Sequence, residues 1–285
     1  MRAYFLRKGG SLTQTVSILR RFGELYGEKR LVRGAAALSF YLTSTLFPLL
    51  IILYTLLGSS PARMEAILRV ARGLMAAESA SVIEDFLEYV ARNNSRAMMM
   101  AAFLLLLSSA SAAMRTMQAA IGELQGETRY RGLKNVLFSL ILSLLFVAAL
   151  YFAILVMLTG ESFFARLGRS FRVFDLARLW RLLRYPALGA AEYAIIFGLY
   201  SASLPEDARY PVGAGALAAA LALVGVSLAY SAVIGASARY PLVYGSLASF
   251  ILLMMWLHTC CIVVLSGAAL NVAVRDLRRG RPKSV

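Results

Sequence analysis

Hydrophobic residues are concentrated in six long stretches that contain almost no charged side chains. The spans predicted from them are residues 34–58, 97–118, 135–160, 185–204, 212–236 and 245–273. A helix needs about 20 mostly apolar residues to cross roughly 30 Å of hydrocarbon. The period-2 alternation of a barrel strand is absent, and a lipid-exposed backbone must satisfy its own N–H and C=O groups. The expected fold is therefore all-α, a polytopic membrane protein with six transmembrane helices.

The more polar segments between the spans predict short amphipathic helices at the membrane surface. In residues 11–30, apolar side chains recur at three- and four-residue steps with charged residues between them. Ser81 followed by Glu84 is a capping-box pattern and predicts the start of another short helix. Residues 163–181 predict an amphipathic helix at the outer headgroups, with its phenylalanines facing the acyl chains.

Composition and charge place the chain in a membrane and suggest its orientation. Hydrophobic residues make up 60% of the chain and charged residues 16%, with a net charge of +15, which is typical of membrane proteins. If the N-terminus is cytoplasmic, the inner segments hold 18 Lys and Arg residues and the outer segments 12. The positive-inside rule then favours cytoplasmic N- and C-termini. Six arginines between residues 166 and 184 would lie outside, so a re-entrant or inverted arrangement stays open.

We therefore predict one helical membrane domain, residues 34–274, between a cytoplasmic amphipathic segment, residues 1–33, and a basic cytoplasmic tail, residues 275–285. Basic residues that flank spans usually contact anionic lipid headgroups. The expected partners are therefore membrane lipids and an unknown solute or lipid substrate, and not nucleic acid. A homo-oligomer is compatible with the sequence.

Several runs resemble the YihY/BrkB family of bacterial inner-membrane proteins. They are RGAAALSFYL at 33–42, LFPL at 46–49, LP at 204–205, GA at 215–216, and a longer match from Tyr240 to Asn271 that includes YGSL, WL and GAALN. The chain departs from the family at Ala269, where a glutamate is common. The resemblance implies six transmembrane helices, a cytoplasmic N-terminus and the bacterial inner membrane. Family members have been labelled virulence factors, transporters and, formerly, ribonuclease BN, without a shared mechanism.

The residues that an RNA hydrolase needs are not grouped in this sequence. His258 is the only histidine; it lies in a predicted span beside Cys260 and Cys261, with no Asp/Glu cluster. These three side chains lie on diverging faces of one helix, which does not suit a zinc site. No phosphate-binding loop is present for direct ATP coupling. We expect no ribonuclease activity, no metal and no cofactor. His258 is expected to bond a neighbouring helix, or to act as a protonation switch.

Polar side chains inside the spans are the candidates for a transport pathway. Glu192 is the only acidic residue in a predicted span, and an ionisable group there should face the bundle interior or a wet cavity. It is either a proton or cation site or one half of a structural pair. In span two, Ser108, Ser111, Arg115 and Gln118 form a polar stripe, with Arg115 placed to meet an anionic group. Such a stripe either lines a pathway or holds helices together.

Spans one, five and six supply further candidates. Pro48 removes one backbone hydrogen bond in span one and predicts a kink. Gly213, Gly215 and Gly225 predict close helix packing in span five. The remaining pathway or cavity candidates are Ser39, Tyr41, Thr43, Tyr240, Tyr244, Gly245, Ser246 and Asn271.

The first functional hypothesis is a transporter, permease or channel for a small solute or lipid, with a cavity formed by spans one, two, four and six. The second is a non-transporting assembly or scaffold protein of the envelope, in which the same polar residues only join helices. An enzyme acting on lipid is a third and weaker option, because no base lies beside a nucleophile. A continuous water-accessible cavity touching Glu192 or the stripe from Ser108 to Arg115 would favour the first hypothesis, and a closely packed interior would favour the second.

Overall fold

The computed structural model describes residues 16–28, 31–57, 65, 68–69, 72, 77–93, 95–126, 133–149, 151–152, 176–204, 210–235 and 246–278. Its regular elements are α1 (residues 16–28), α2 (Leu31–Leu57), α3 (Ala77–Asn93), α4 (Arg96–Gln125), α5 (Leu133–Ala149), α6 (Leu176–Ser203), α7 (Gly213–Gly235) and α8 (Ser246–Arg278). No strand occurs in these ranges. The predicted all-α fold is confirmed.

Four of the helices are long and apolar enough to cross a membrane. They are α2 over Leu31–Leu56, α4 over Arg96–Gln125, α7 over Gly213–Tyr230 and α8 over Phe250–Arg278. α5 is a shorter apolar helix, and α6 carries the more polar span that contains Glu192. Each of the six predicted spans overlaps a described helix, although residues 153–160 of the third lie outside the described residues. Length and apolarity support a crossing for four helices, so six transmembrane helices are not confirmed.

The outward faces of these helices are apolar. Leu104 on α4, Leu145 on α5 and Leu228 on α7 are each more than 60% exposed. Exposed apolar surface on this scale is a sign of an interaction face in a soluble protein. In a chain with four candidate spans, such a surface suits contact with lipid.

The main hydrophobic core joins α2 to α4 and α8, and α8 to α7. Ala35, Ala113, Leu265 and Ala269 are fully buried in it. Small residues let the helix backbones approach one another closely, and this is how membrane helices gain packing contacts. α6 packs on α7 and adds the buried Tyr200.

A second hydrophobic cluster lies at the opposite end of α2 and is covered by α3. Ile83, Leu87 and Val90, on one face of α3, are buried against Leu49 and Leu53 of α2. The three- and four-residue spacing of these side chains gives α3 its apolar face. The remaining faces of α3 carry exposed charged residues.

The predicted start of α3 at Ser81 is wrong. The helix begins at Ala77, so that Ser81 lies inside it rather than at its N-cap. Alanine and glutamate, which precede Ser81, are good helix formers, and Ala80 is buried. The turn before Ser81 is therefore helical because its residues favour helix and Ala80 packs in the interior.

Capping residues define both ends of α4. The Ser95 hydroxyl accepts a hydrogen bond from the Met98 N–H at 3.2 Å, which satisfies one of the free donors of the first turn. At the other end Gly126 has φ +80°, a left-handed conformation that glycine adopts without steric cost. The helix therefore extends seven residues beyond the predicted end of its span.

The helix predicted at residues 11–30 is confirmed over residues 16–28 as α1, and the rest of that range lies outside the described residues. Its Leu25 is buried in the main core, and its Arg21 pairs with Asp276 near the end of α8. Gln125 at the end of α4 and Arg275 of α8 both contact Tyr210, which lies just before α7. We call this end of the bundle the α1 end. Of the interfacial helix predicted at 163–181, residues 163–175 lie outside the described residues. The remainder is continuous with α6, which begins at Leu176.

Candidate polar sites within the helix bundle

The polar stripe predicted on α4 lies where α4 meets α5. The Arg115 guanidinium donates to the Ser111 hydroxyl at 2.6 Å. The Gln118 amide oxygen accepts from the Ser139 hydroxyl of α5 at 3.0 Å. Ser111, Ser139 and Ser143 are buried, and Arg115 is half-buried. We call the group formed by Ser111, Arg115, Gln118 and Ser139 the α4–α5 seam.

Ser108 does not share this environment. It is exposed, and its hydroxyl donates to the Leu105 carbonyl oxygen of its own helix at 3.0 Å. The expectation that the whole stripe turns inward is wrong for Ser108. A hydroxyl can satisfy itself on the preceding turn of a helix, so Ser108 does not require an inward position as a charged residue does.

Glu192 lies on the inward-facing stripe of α6, one turn before the buried Ile196. It is half-buried, and its carboxylate is within electrostatic range of the Cys260 thiol on α8. In the described part of the chain, no Lys, Arg or His lies within 4.0 Å of this carboxylate. Glu192 therefore faces a helix contact without a described counter-charge.

The polar residues of α2 are satisfied locally. Ser39 donates to the Ala36 carbonyl oxygen at 2.9 Å and Thr43 to that of Ser39 at 2.8 Å, and both are buried. Tyr41 is half-buried and packs against the main core. Pro48 is buried within α2, and the kink expected there stays a prediction. These bonds favour a packing role over a solute-binding one for this face.

One polar contact between α2 and α4 was not predicted. The Thr45 hydroxyl lies 3.0 Å from the Ser109 hydroxyl, and each also donates to a carbonyl oxygen of its own helix. Ser109 follows Ser108 in sequence, but Ser109 faces α2 whereas Ser108 is exposed. The sequence offered one signal for this contact, because two adjacent serines of a helix point in different directions and both cannot lie on the same face.

Asn271 connects α8 to the first turn of α7. Its side-chain oxygen accepts from the Gly215 N–H at 2.7 Å, and its side-chain nitrogen donates to the Val212 carbonyl oxygen at 3.0 Å. Both bonds are buried. Because the first N–H groups of a helix have no partner within the helix, Asn271 acts as a cap supplied by a distant residue.

Gly215 and Gly267 bring α7 and α8 into backbone contact. A Cβ atom added to Gly215 would overlap the Gly267 carbonyl oxygen, and one added to Gly267 would lie 2.6 Å from the Gly215 carbonyl oxygen. The packing role predicted for Gly215 is therefore confirmed. Gly225 is exposed with nothing within 4 Å of an added Cβ, so the packing role predicted for it is wrong.

Tyr200 of α6 contributes to the same contact, although sequence reasoning did not select it. The residue is 2% exposed, and its hydroxyl donates to the Val264 carbonyl oxygen of α8. The burial of a tyrosine usually requires a partner for its hydroxyl. Tyr200 therefore fastens α6 to the contact between α7 and α8.

An ionic cluster closes the α1 end. Arg21 of α1 and Arg275 of α8 both contact the Asp276 carboxylate, at 3.2 and 2.8 Å, and Arg21 also pairs with Glu24. Burial alone would lower the pKa of Arg21, but the hydrogen bonds and negative charges of Glu24 and Asp276 outweigh it and leave that pKa raised. Arg275 also lies 5.1 Å from the centre of the Tyr210 ring. The cluster joins the first described helix to the last.

The remaining predicted residues have no common site. His258 and Cys260 are half-buried and Cys261 is buried, on successive faces of α8. In the described ranges no three His, Cys, Asp or Glu side chains form a group that could hold a metal. Ser246 is the first residue of α8, while Tyr240, Tyr244 and Gly245 lie outside the described residues.

The chain was compared with protein families, curated proteins and solved structures. A family model described as Virulence factor BrkB matches residues 23–284, nearly the whole chain. Neither the curated proteins nor the solved structures gave a match.

Proposed function

We propose that this chain, which belongs to the Virulence factor BrkB family, crosses the bacterial inner membrane six times and moves a small solute or lipid between its helices. The six crossings are α2, α4, α5, α6, α7 and α8, with α1 and the basic tail in the cytoplasm. An even number of crossings is supported by the ion pair of Arg21 with Asp276, because this pair places the two ends of the described chain at one side of the bundle. The positive-inside bias supports the cytoplasmic side.

The observation that carries the transport proposal is the position of Glu192. It lies eleven residues before the end of α6 at Ser203, which is about 16 Å along the helix. At that depth an ionised carboxylate is costly unless it meets a cation, a proton or water. No described cation pairs with it. We infer that Glu192 contacts a wet pathway and binds a proton or a cationic group during movement.

Arg115 provides a second charge at a similar depth. It lies ten residues before the end of α4 at Gln125, about 15 Å from the α1 end. Its charge is not neutralised by any described carboxylate. Two opposite charges at one depth, on α4 and on α6, favour a substrate or coupling ion with charge of its own over a purely apolar one.

The proposal is tested with purified full-length protein in liposomes. Uptake of small solutes and scrambling of labelled lipids are measured with and without a pH gradient. We expect the wild-type protein to transport at least one class of compound, either a solute or a lipid. We expect Glu192→Gln to reduce the rate of this transport at least tenfold. Glu88→Gln, which removes a carboxylate from the exposed ion pair on α3, is the matched control and should leave the rate unchanged. Equal rates for wild type and Glu192→Gln would refute the role of this carboxylate.

A scaffold function is the second candidate, and the contact between α7 and α8 favours it. The contacts of Gly215, Gly267 and Asn271 fix these helices together without room for another group. A protein that only holds an assembly in the membrane needs this rigidity and no pathway. Absence of any movement by correctly folded wild-type protein in the same liposomes would favour the scaffold.

A further inference from the structure

The α4–α5 seam contains hydrogen-bond donors that lack acceptors. The Arg115 guanidinium has five N–H groups, and the structure gives it one acceptor, the Ser111 hydroxyl at 2.6 Å. The Gln118 amide nitrogen is buried with no acceptor among the described residues. The Ser139 hydroxyl has a single hydrogen and lies 2.6 Å from the Asn135 carbonyl oxygen of its own helix and 3.0 Å from the Gln118 amide. With its amide turned over, Gln118 donates to Ser139 through its nitrogen, so Gln118 does not require an outside acceptor. The unused hydrogen-bonding capacity of the seam is therefore that of the Arg115 guanidinium, which donates and is positively charged.

No described residue supplies the missing negative charge. Every ion pair in the described part of the chain lies in the cluster at the α1 end, on exposed positions of α1 and α3, or between Arg72 and Glu84 of α3. A buried or half-buried guanidinium without an anion is costly inside a membrane. An anionic ligand with several acceptor oxygens would satisfy the remaining donors of Arg115.

The seam can be reached from the side of the bundle. On α4, Arg115 is flanked by two exposed positions, Ser108 and Ala119, at steps of seven and four residues that place them on its outer side. The apolar residues that bury α4 lie on the opposite side, towards α2 and α8. Arg115 therefore lies at the edge of the α4–α5 contact, facing the surface that lipid would cover.

We propose that this edge of the α4–α5 seam is a binding site for a phosphate group, held by Arg115 in a position set by Ser111. A guanidinium presents paired N–H donors that match the oxygens of a phosphate. The proposal deepens the proposed function, since it names the chemistry of the group that the protein would accept. The phosphate comes either from a lipid headgroup that enters sideways or from a free phosphate compound.

Binding is measured on the full chain in detergent micelles. Retention of phosphatidic acid and of phosphatidylglycerol is compared with retention of diacylglycerol, which lacks the phosphate, by native mass spectrometry. Binding of radiolabelled inorganic phosphate is measured by equilibrium dialysis. Arg115→Gln removes the charge, Arg115→Lys keeps it, and Ser111→Ala removes the positioning hydroxyl. Arg96→Gln, at the exposed start of the same helix, is the matched control.

We expect the wild-type protein to bind phosphate-bearing ligand at least tenfold more tightly than Arg115→Gln, with Arg115→Lys intermediate and Arg96→Gln equal to wild type. If only the binding of phosphate-bearing lipid depends on Arg115, the site is assigned to lipid headgroups. If the binding of inorganic phosphate depends on Arg115, the site is assigned to free phosphate compounds. Equal binding by wild type and Arg115→Gln, with both proteins folded, would overturn the proposal. This assay measures binding and not transport. If phosphate binding proves independent of Arg115 while Glu192-dependent transport is still observed, the proposal for this site fails and the proposed function stands.

Discussion

Replacing Gly215 by alanine is expected to force α7 and α8 apart. The added Cβ would overlap the Gly267 carbonyl oxygen and lie 2.6 Å from Cγ of Asn271. The first neighbour is backbone and cannot rotate away, and the second is held by two buried hydrogen bonds. Gly267→Ala meets the same obstacle from the other side, with its Cβ 2.6 Å from the Tyr200 hydroxyl and 2.8 Å from Cβ of Ala219.

The expected loss of stability follows from three contributions. Overpacking a well-packed contact typically costs about 1–3 kcal/mol. If the helices separate enough to break the bond from the Gly215 N–H to Asn271, the buried donor costs about 1–3 kcal/mol more. Alanine in place of glycine offsets roughly 1 kcal/mol through its helix propensity. We expect Gly215→Ala to lower the free energy of unfolding by about 1–5 kcal/mol.

The assay is reversible unfolding in mixed micelles, with increasing mole fraction of sodium dodecyl sulfate, followed by circular dichroism. Gly225→Ala is the matched control, because it lies on the same helix with nothing within 4 Å of its added Cβ. It should be unchanged or stabilised, by roughly 1 kcal/mol at most. If Gly215→Ala and Gly225→Ala unfold at the same detergent fraction, the close approach of α7 and α8 is refuted.

Two further substitutions probe the α1 end by the same unfolding assay. Asp276→Asn leaves Arg21 and Arg275 without their shared carboxylate. Because these two side chains are only 14–20% exposed, we expect the free energy of unfolding to fall by about 1–3 kcal/mol. Glu88→Gln breaks an exposed pair worth at most about 1 kcal/mol, and an equal loss in that variant would contradict the reasoning. Asn271→Ala removes both hydrogen bonds to the start of α7 and should lower the free energy of unfolding by about 2–4 kcal/mol. If this variant is as stable as the wild type, water replaces the cap and the prediction is wrong.

Hydropathy was sufficient to place the long apolar helices, because lipid forces an apolar stretch of this length to be helical. The predicted span 212–236 corresponds to α7 at Gly213–Gly235, and 245–273 to α8 at Ser246–Arg278. The ends of α4 and α8 were less accurate, since each helix continues past the apolar region into polar residues. Hydropathy measures the apolar length of a helix and not its full length.

The partners of polar residues could not be predicted because they depend on how each helix is rotated about its axis. α7 is apolar on all sides, so its sequence does not distinguish Gly215, which touches α8, from Gly225, where an added Cβ has no described neighbour within 4 Å. Asn271 caps a helix that begins more than fifty residues earlier. Ser108 and Ser109 are adjacent, yet only Ser109 meets α2. Such pairs require the tertiary packing.

The most direct test of the account is the reaction of Cys260 with a charged, water-soluble thiosulfonate reagent in liposomes. Cys260 is half-buried within electrostatic range of Glu192, and its neighbour Cys261 is 2% exposed. Each thiol is tested alone, in Cys261→Ser and in Cys260→Ser. A pathway that carries water to Glu192 predicts that Cys260 is labelled and Cys261 is not. If Cys260 is as unreactive as Cys261, Glu192 lies in a dry helix contact and the transport proposal is contradicted.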